Sequence, residues 1–394
     1  MPLGDSMTAQ SIHELSPEQF DRVRPLIGDQ GIHVEMLATL SGHCRGRVWV
    51  DHSDHPRTAL VLSQCHNGYC LGTASLSGIA LVQQLIEMII GPWGRRMGAV
   101  QWCLRYPSGW HEPLSAALAH KHPIASSYLC LHYASDRTPP LADSMPEGYR
   151  LLPVDNTFLN DSWQHHKTLD AWIRDCWTSQ ETYLAEGLGY AIVRGDEIIS
   201  HCMAEYPAKD AYGIGVDTTE GYRRQGWGTR ASRATVHACL DRGKSVYWHC
   251  HQGNVSSEQL ARKVGLEPLR RYPVLYAWYN PLDQMVVNGN TRLWAGDPCA
   301  ALPWYQCALV ESERRPEWLR ESHLLGTGRG AASTAFEMAR AHALCHQPKR
   351  ALLLLRIAII KGWTDWAALD TEPALQALSE LPEFQCWLQP NSAA

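Results

Sequence analysis

The run from Tyr212 to Leu240, YGIGVDTTEGYRRQGWGTRASRATVHACL, constrains this chain more than any other. A strand-like stretch ends near Thr218, a short loop follows, and Arg223-x-x-Gly226-x-Gly228 opens a helix. Glycines at such a place let a ligand approach the backbone. The first turn of a helix offers unpaired N–H groups and the positive end of the helix dipole. An anion such as a pyrophosphate suits that environment, and Arg223 and Arg224 add cationic donors. Taken alone, the six-residue pattern also fits an ordinary glycine turn before a surface helix. A Rossmann fingerprint does not fit, because Gly213-x-Gly215 is followed by Thr218 where the third glycine belongs.

The chain around this run has 394 residues, too many for one ordinary domain and suited to two or three. Apolar residues make up 45% and charged residues 19%, which excludes a disordered chain. The net charge of −5 argues against nucleic-acid binding, which needs a basic face. Thirteen cysteines are an odd number and include no CxxC. Most sit in apolar runs (Cys103, Cys130, Cys202, Cys239) and read as reduced, buried thiols of a cytoplasmic protein. The first residues show neither a basic start nor an apolar core, so no signal peptide is expected. The longest apolar runs are Ile79 to Ile90, interrupted by Gln83, Gln84 and Glu87, and Ala351 to Ile360, interrupted by Arg356. Both fall short of about 18 clean residues, so no membrane span is expected.

Three regions follow from the pattern of elements. Residues 1–145 alternate strand-like runs (RVWVD, TALVLSQ, YCLGTA, AVQWCLRY, SYLCLHYA) with helical ones, and close in the turn-rich DRTPPLADSMPEG. Residues 146–285 repeat the theme. YRLLPVD is followed by helical stretches over about 156–186, a hairpin around Arg194-Gly195-Asp196, the strand AYGIGVDT, a helix over 226–242, the strand SVYWHCH, a helix over 256–264 and a final strand VLYAWY. Residues 286–394 read as all-helical. Helices run from Ala331 to Cys345 and Lys349 to Lys361, with Pro348 at a first turn and Gly362 at a stop, and two shorter ones cover Glu372 to Ser379 and Pro382 to Leu388. These pairs are tetratricopeptide-like, although no clean 34-residue period is present.

The motif and its neighbours resemble the acetyl-CoA-binding segment of the GNAT N-acetyltransferases. The resemblance covers about 135 residues, from YRLLPVD to VLYAWYN, and includes Asn254-x-Ser256-Ser257 opening a helix and Val264-Gly265-Leu266 ending it. It implies an α+β fold with a mixed central sheet. The runs IGVDT, YRRQGWGT and LARKVGL further resemble a bacterial branch with a degenerate GNAT-like N-terminal half. Residues 44–134 would supply that half. They contain no RxxGxG, which implies a structural or substrate-shaping role rather than a second active site.

The resemblance also implies roles. Backbone amides from Gln225 through Gly226, Trp227 and Gly228 to Thr229 would cradle the pyrophosphate of acetyl-CoA, beside Arg223 and Arg224. Val216 would pair its backbone with the pantetheine arm, a backbone N–H would meet the developing oxyanion, and Asn254 would touch the cofactor near its amide arm. The reaction implied is acyl transfer to an amine, which arrives protonated and needs a base. Here the chain departs from the family. The helix tyrosine often used as acid falls at Ala261, and the strand glutamate often used as base falls at Tyr212 or Gly213. Glu205, closing the strand EIISHCMAE, and Asp217, at the lip of the cofactor strand, remain as candidate bases, each also readable as a solvated strand-end carboxylate. Tyr272, in the loop before the last strand, is a candidate acid and equally a packing residue. His201 reads as a core histidine, and Cys202 as a buried thiol rather than a nucleophile.

Other signals are weaker. His52-x-x-His55, Cys65-His66 and His249-Cys250-His251 lack zinc-site spacing, so no metal is expected. Sixteen Trp and 15 Tyr stand against only 4 Phe. Trp163, Trp172 and Trp177 fall on the segment that forms one acceptor wall in the family, and read either as helical core or as that wall. Three functions are carried forward. The first is acetylation of a small-molecule amine, with an amino-bearing antibiotic as one setting. The second is a protein acetyltransferase that docks its substrate on the C-terminal helices. The third is a catalytically silent acyl-CoA-binding scaffold.

Overall fold

The computed structural model describes residues 12–28, 33–133, 145–164, 166–366, 368, 371–376, 378 and 381–384. Among the described residues twelve strands form one sheet. The first six are β1 (His13–Leu15), β2 (Gly46–Val50), β3 (Thr58–Ser63), β4 (Asn67–Gly72), β5 (Gln101–Arg105) and β6 (Ile124–Tyr133). The second six are β7 (Tyr149–Pro153), β8 (Gly189–Arg194), β9 (Glu197–Ala208), β10 (Ala211–Thr218), β11 (Ser245–His251) and β12 (Leu266–Trp278). Their spatial order is β1-β2-β3-β4-β5-β12-β6-β11-β10-β9-β8-β7.

That order contains a repeat and an exchange. In the first half β1 to β4 form an antiparallel meander and β5 joins β4 in parallel. In the second half β7 to β10 do the same and β11 joins β10 in parallel. A parallel pair needs a helical crossover, and α8 (Trp227–Asp241) supplies it in the second half. Each half then gives its last strand to the other: β6 lies against β11, and β12 lies against β5. SYLCLHYA and VLYAWY, read as closing strands of separate regions, are therefore neighbours at the centre of one sheet. Two apolar cores flank it, one built on Phe20, Met36, Val48, Val61 and Leu71, the other on Trp177, Ile192, Met203, Val236 and Val246.

By contacts the chain divides into two compact units, where the sequence suggested three regions. One comprises Met1–Ile89, Cys103–Ala117 and Ala125–Tyr276; the other comprises Ile90–Trp102, Leu118–Ile124 and Ala277–Ala394. The shared sheet is the reason that the turn-rich stretch near residue 145 does not separate two units. Several short pieces have no counterpart in the sequence reading: β1, the 3₁₀ segment Pro17–Leu26 and α1 (Val34–Leu40). They are too short for a period to show.

The remaining helices of the first unit include α2 (Leu76–Gln84), α4 (His111–Ala117), α5 (Asn156–Leu159), α6 (His166–Cys176), α7 (Gln180–Glu186) and α9 (Val255–Val264). Leu76–Arg96 is one continuous helix through a π-helical turn at Leu85–Ile90 and α3 (Gly91–Arg96). It is long and apolar enough to cross a membrane by length and composition, which the interrupted sequence run did not suggest, but Ile79, Leu81, Val82, Leu85 and Ile86 on it are buried in protein. The second unit holds α10 (Pro281–Trp294), α11 (Pro298–Arg314), α12 (Pro316–Glu321), α13 (Arg329–Leu344) and α14 (Pro348–Ile360). Proline stands in the first turn of four of them, where its missing N–H costs nothing. Gly362 stops α14 with φ +95°. Cys299 and Cys345 lie in disulfide contact, with Cα atoms 5.8 Å apart, which corrects the reading of every cysteine as a separate thiol. The helix expected over Pro382 to Leu388 runs mostly outside the described residues.

Candidate active site

Two neighbouring strands part at the centre of the second half. β10 pairs with β11 only over Ala211–Gly213 against Ser245–Tyr247, so the edge from Ile214 to Thr218 has no β11 partner. On its other side β10 stays paired with β9, where Val216 faces Cys202. From Ile214 to Val216 the parted edge offers backbone groups without a β11 partner, which an extended ligand could join as a strand. At its end lies the glycine loop. Gly226 caps α8 in the left-handed region, φ +86°, and brings no side chain to the cap. The first N–H groups of the helix, from Trp227 to Thr229, therefore face outward without a side-chain acceptor. The backbone of Arg224, φ +61°, turns the chain into this position.

The loop's side chains are held from behind. Arg223 donates to the Thr218 carbonyl at 3.0 Å and stands 3.8 Å from Asp217. Gln225 donates to the Gly221 carbonyl and accepts from the Trp227 indole. Trp227 is buried and stacks on Tyr149 at 4.2 Å, so it anchors the loop while its backbone faces the cleft. A Cβ on Gly228 would come within 3.1 Å of both Leu260 and Thr218. Asn254 caps α9 by accepting from the Ser257 N–H at 3.1 Å.

Where β10 and β11 part, a cavity of about 50 Å³ opens. The second half contributes Glu205, Tyr206, Gly213, Ile214 and, from β11, Tyr247 and His249. Tyr272 of β12 and His33, Glu35, Tyr69 and Arg105 of the first half complete it. Glu205 is aimed by a β-bulge. Gly213 pairs with Tyr206 and Ile214 with Ala204, so Glu205 is the extra residue of β9. The sequence reading ended that strand at Glu205, but it continues to Ala208. The Glu205 carboxylate accepts from the Trp172 indole at 2.7 Å. Burial pushes its pKa up to about 7; the Trp172 hydrogen bond opposes the shift and the Glu35 charge adds to it.

Two predictions follow from this geometry. Trp172→Phe removes the bond that favours the carboxylate, so the Glu205 pKa should rise by about one unit, read as an upward move of the acid limb in the pH–rate profile. A Cβ on Gly215 would collide with the Glu205 carboxyl and Trp172. Gly215→Ala should therefore displace the Glu205 carboxylate and, if that group serves the chemistry, lower the turnover rate by about tenfold or more, with the circular dichroism spectrum unchanged.

Tyr272 lies within β12, not in a loop before it. Its hydroxyl meets Nδ1 of His249 at 3.0 Å, and its ring stands edge-on to His33 at 4.4 Å. Burial raises the phenol pKa far enough that the O–H is retained at neutral pH. Burial, with Arg105 and Arg270 nearby, pushes His249 down to about 3, and burial likewise lowers His33. Both imidazoles are neutral at physiological pH.

The structure brings Glu205, Trp172 and Tyr272 to one place and leaves other sequence candidates elsewhere. Asp217 lies beside Arg223 at the loop, partly exposed, and does not line the cavity. Trp177 is fully buried and donates to the Ala204 carbonyl; this corrects its reading as acceptor wall, because no face of it is open. Trp163 stacks on Phe158 and donates to the Phe158 carbonyl, away from the cavity lining. His201 and Cys202 are buried, and burial pushes the thiol up to about 12, as an inert core cysteine requires. His33, Glu35, Tyr69 and Arg105 escaped the sequence reading. One signal was available: Arg105 is a charge inside the apolar strand run AVQWCLRY.

In the first half the corresponding cleft is closed. β4 pairs with β5 only over Asn67–Tyr69, but buried Trp110 donates its indole N–H to the Gly72 carbonyl. Among the described residues no group of three or more His, Cys, Asp or Glu is placed to hold a metal ion.

Comparison with known proteins agrees with this architecture. The family model for GNAT acetyltransferase matches residues 30–275, more than half of the chain. An uncharacterised N-acetyltransferase of Bacillus subtilis, YdfB, is 24% identical over 133 residues, 34% of this chain and 50% of that protein. The match thus spans half the length of that relative. Among solved structures, a GCN5-related N-acetyltransferase-like protein from Streptococcus suis shares the fold with a TM-score of 0.51 and 23% identity, over 66% of this chain and 98% of that one. A tandem GNAT protein from the clavulanic acid biosynthesis pathway aligns at a TM-score of 0.43 and 15% identity, over 68% of this chain and 98% of its own.

Proposed function

Since the chain belongs to the GNAT acetyltransferase family, we propose that it transfers an acetyl group from acetyl-CoA to a primary amine of a small molecule. The observation that carries this reading is Glu205, a carboxylate with a pKa of about 7 where β10 and β11 part. A base poised near the working pH is what removal of an ammonium proton needs.

The residues present fit the acyl donor. The parted edge from Ile214 to Val216 suits an extended amide-bearing arm, and the uncapped start of α8 suits its diphosphate. Arg223 and Arg224 flank that start as cations. Bound acetyl-CoA supplies the acyl thioester, whose acetyl carbon passes to the amine nitrogen as its C–S bond breaks. Glu205 takes the proton from the incoming ammonium group, and Trp172 holds the carboxylate toward the cavity. Tyr272, still protonated at neutral pH, is the donor available to the departing sulfur, and the second proton that nitrogen loses as the amide forms restores the phenol. Closure of the cavity on several sides by Tyr69, Tyr206 and Tyr247 limits water.

Calorimetry with acetyl-CoA, followed by an amine panel that includes amino-bearing antibiotics, tests the proposal. The expected result is binding, thiol release and a mass gain of one acetyl group on an amine. Binding of acetyl-CoA without thiol release from any amine would leave an acyl-CoA-binding scaffold in its place.

A further inference from the structure

The cavity beside Glu205 holds a second feature that proton removal does not use. Arg105 on β5 is 6% exposed, and its side chain lines the cavity. Its Nη1 has no hydrogen-bond partner. The guanidinium lies over the faces of Tyr69 and Tyr128, at 5.2 and 5.1 Å, with the Tyr272 hydroxyl also beside it, and Nη1 is the donor left for a ligand. The nearest buried carboxylate to consider is Glu35, but its oxygens are already occupied. They accept from Ser63 at 2.5 Å, from Asn67 at 2.9 and 3.0 Å, and from Tyr69 at 2.6 Å. None of the ion pairs among the described residues involves Arg105. The imidazoles of His33 and His249, also facing the cavity, are neutral and add no further positive charge beside it.

A buried guanidinium with a free donor is costly unless a ligand completes it; the charge of Glu35 nearby offsets part of the cation but leaves Nη1 unpaired. We propose that Arg105 binds a carboxylate on the acceptor, so that the substrate is an amino acid-like zwitterion, with its amine at Glu205 and its carboxylate at Arg105. The cavity volume of about 50 Å³ suits a head group of a few heavy atoms rather than a bulky apolar ligand. The planar fork of a guanidinium matches a carboxylate in two parallel hydrogen bonds. The lining thus carries both a carboxylate and a guanidinium, opposite in charge to the amine and the carboxylate of such an acceptor. Arg105 here selects and orients the substrate and takes no part in proton transfer. The inference rests on the reading of Glu205 as the base of an N-acetyltransferase.

The deciding measurement is kcat/KM of the full-length wild type for glycine, β-alanine and γ-aminobutyrate, each against its own carboxamide. At the best-fitting chain length the acid should be preferred by about 100-fold, since a site built to bind a group rejects the analogue lacking it. In Arg105→Met that ratio should fall to about one, and in Arg105→Lys, which keeps the charge but not the fork, it should lie between. Circular dichroism and Tm check that the variants fold, and the wild-type ratio decides the matter where they do not. Equal rates for acid and amide, or acetylation confined to amines that carry no carboxylate, would overturn the role of Arg105 and leave the acetyltransferase reading intact. No thiol release from any amine would overturn both.

Discussion

Glu205→Gln should lower kcat/KM by about 10²- to 10⁴-fold, the usual contribution of a general base. Glutamine keeps the shape and can still meet the Trp172 indole through its carbonyl oxygen, so the loss reads proton transfer rather than packing. The wild-type profile of kcat/KM should rise with pH to a midpoint near 7, the value to which burial pushes Glu205, and fall again as the free amine passes its own pKa of about 10. The variant should lose the rising limb. An undiminished rate in Glu205→Gln would refute Glu205 as the base.

The same substitution should move stability the other way. The folded-state pKa of Glu205, about 7, lies above its ordinary 4.5, so the folded state holds that proton more tightly than the unfolded chain. The corresponding stability is present in full below the unfolded value and is lost as pH rises through the folded one. Above neutral pH the ionised carboxylate therefore costs on the order of 3 kcal/mol. Glutamine carries no charge to bury. Its Tm should exceed that of the wild type above about pH 8, and the difference should vanish below the unfolded pKa. Lost activity with gained stability is the signature of a strained functional group.

Gly228→Asp should weaken acetyl-CoA binding by about 100-fold or more, read by calorimetry, because it sets a carboxylate where the diphosphate is expected to lie. A misfolded variant would imitate this loss, and the choice of aspartate guards against that. An acidic side chain in the first turn of a helix stabilises it by roughly 0.3–1 kcal/mol. The new Cβ meets Leu260 and Thr218 at 3.1 Å, a tight approach in which the Leu260 side chain can give way. Tm should therefore hold near the wild-type value while affinity collapses. Unchanged affinity in a folded Gly228→Asp would place the diphosphate elsewhere.

The glycine-loop part of the candidate site was legible because its elements are contiguous. Strand, glycine loop and helix follow one another within Tyr212–Leu240, and the reasons for glycine at 226 and 228 are local. Glu205 was legible as a carboxylate on a neighbouring strand, but its role depends on a bulge that alternation cannot reveal. The Trp segment divided three ways. Trp172 reached the carboxylate, Trp177 sank into the core and Trp163 packed on Phe158, although all three lie within a few turns of one another. A periodic pattern places a side chain on a face, whereas burial depends on what that face meets.

From its sequence alone this chain has two α/β halves and a helical end, and a helix that starts from a glycine loop, since these depend on neighbours along the chain. The tertiary structure decided the rest. It exchanged β6 and β12 between the halves, so that Arg105 of the first and Tyr272 and His249 of the second meet around one cavity. Strand pairing across a sheet links residues more than a hundred positions apart, and no local propensity encodes which strand will fill the central gap. The glycine loop is local to one stretch of chain, whereas the cavity exists only because the exchanged strands bring both halves to it.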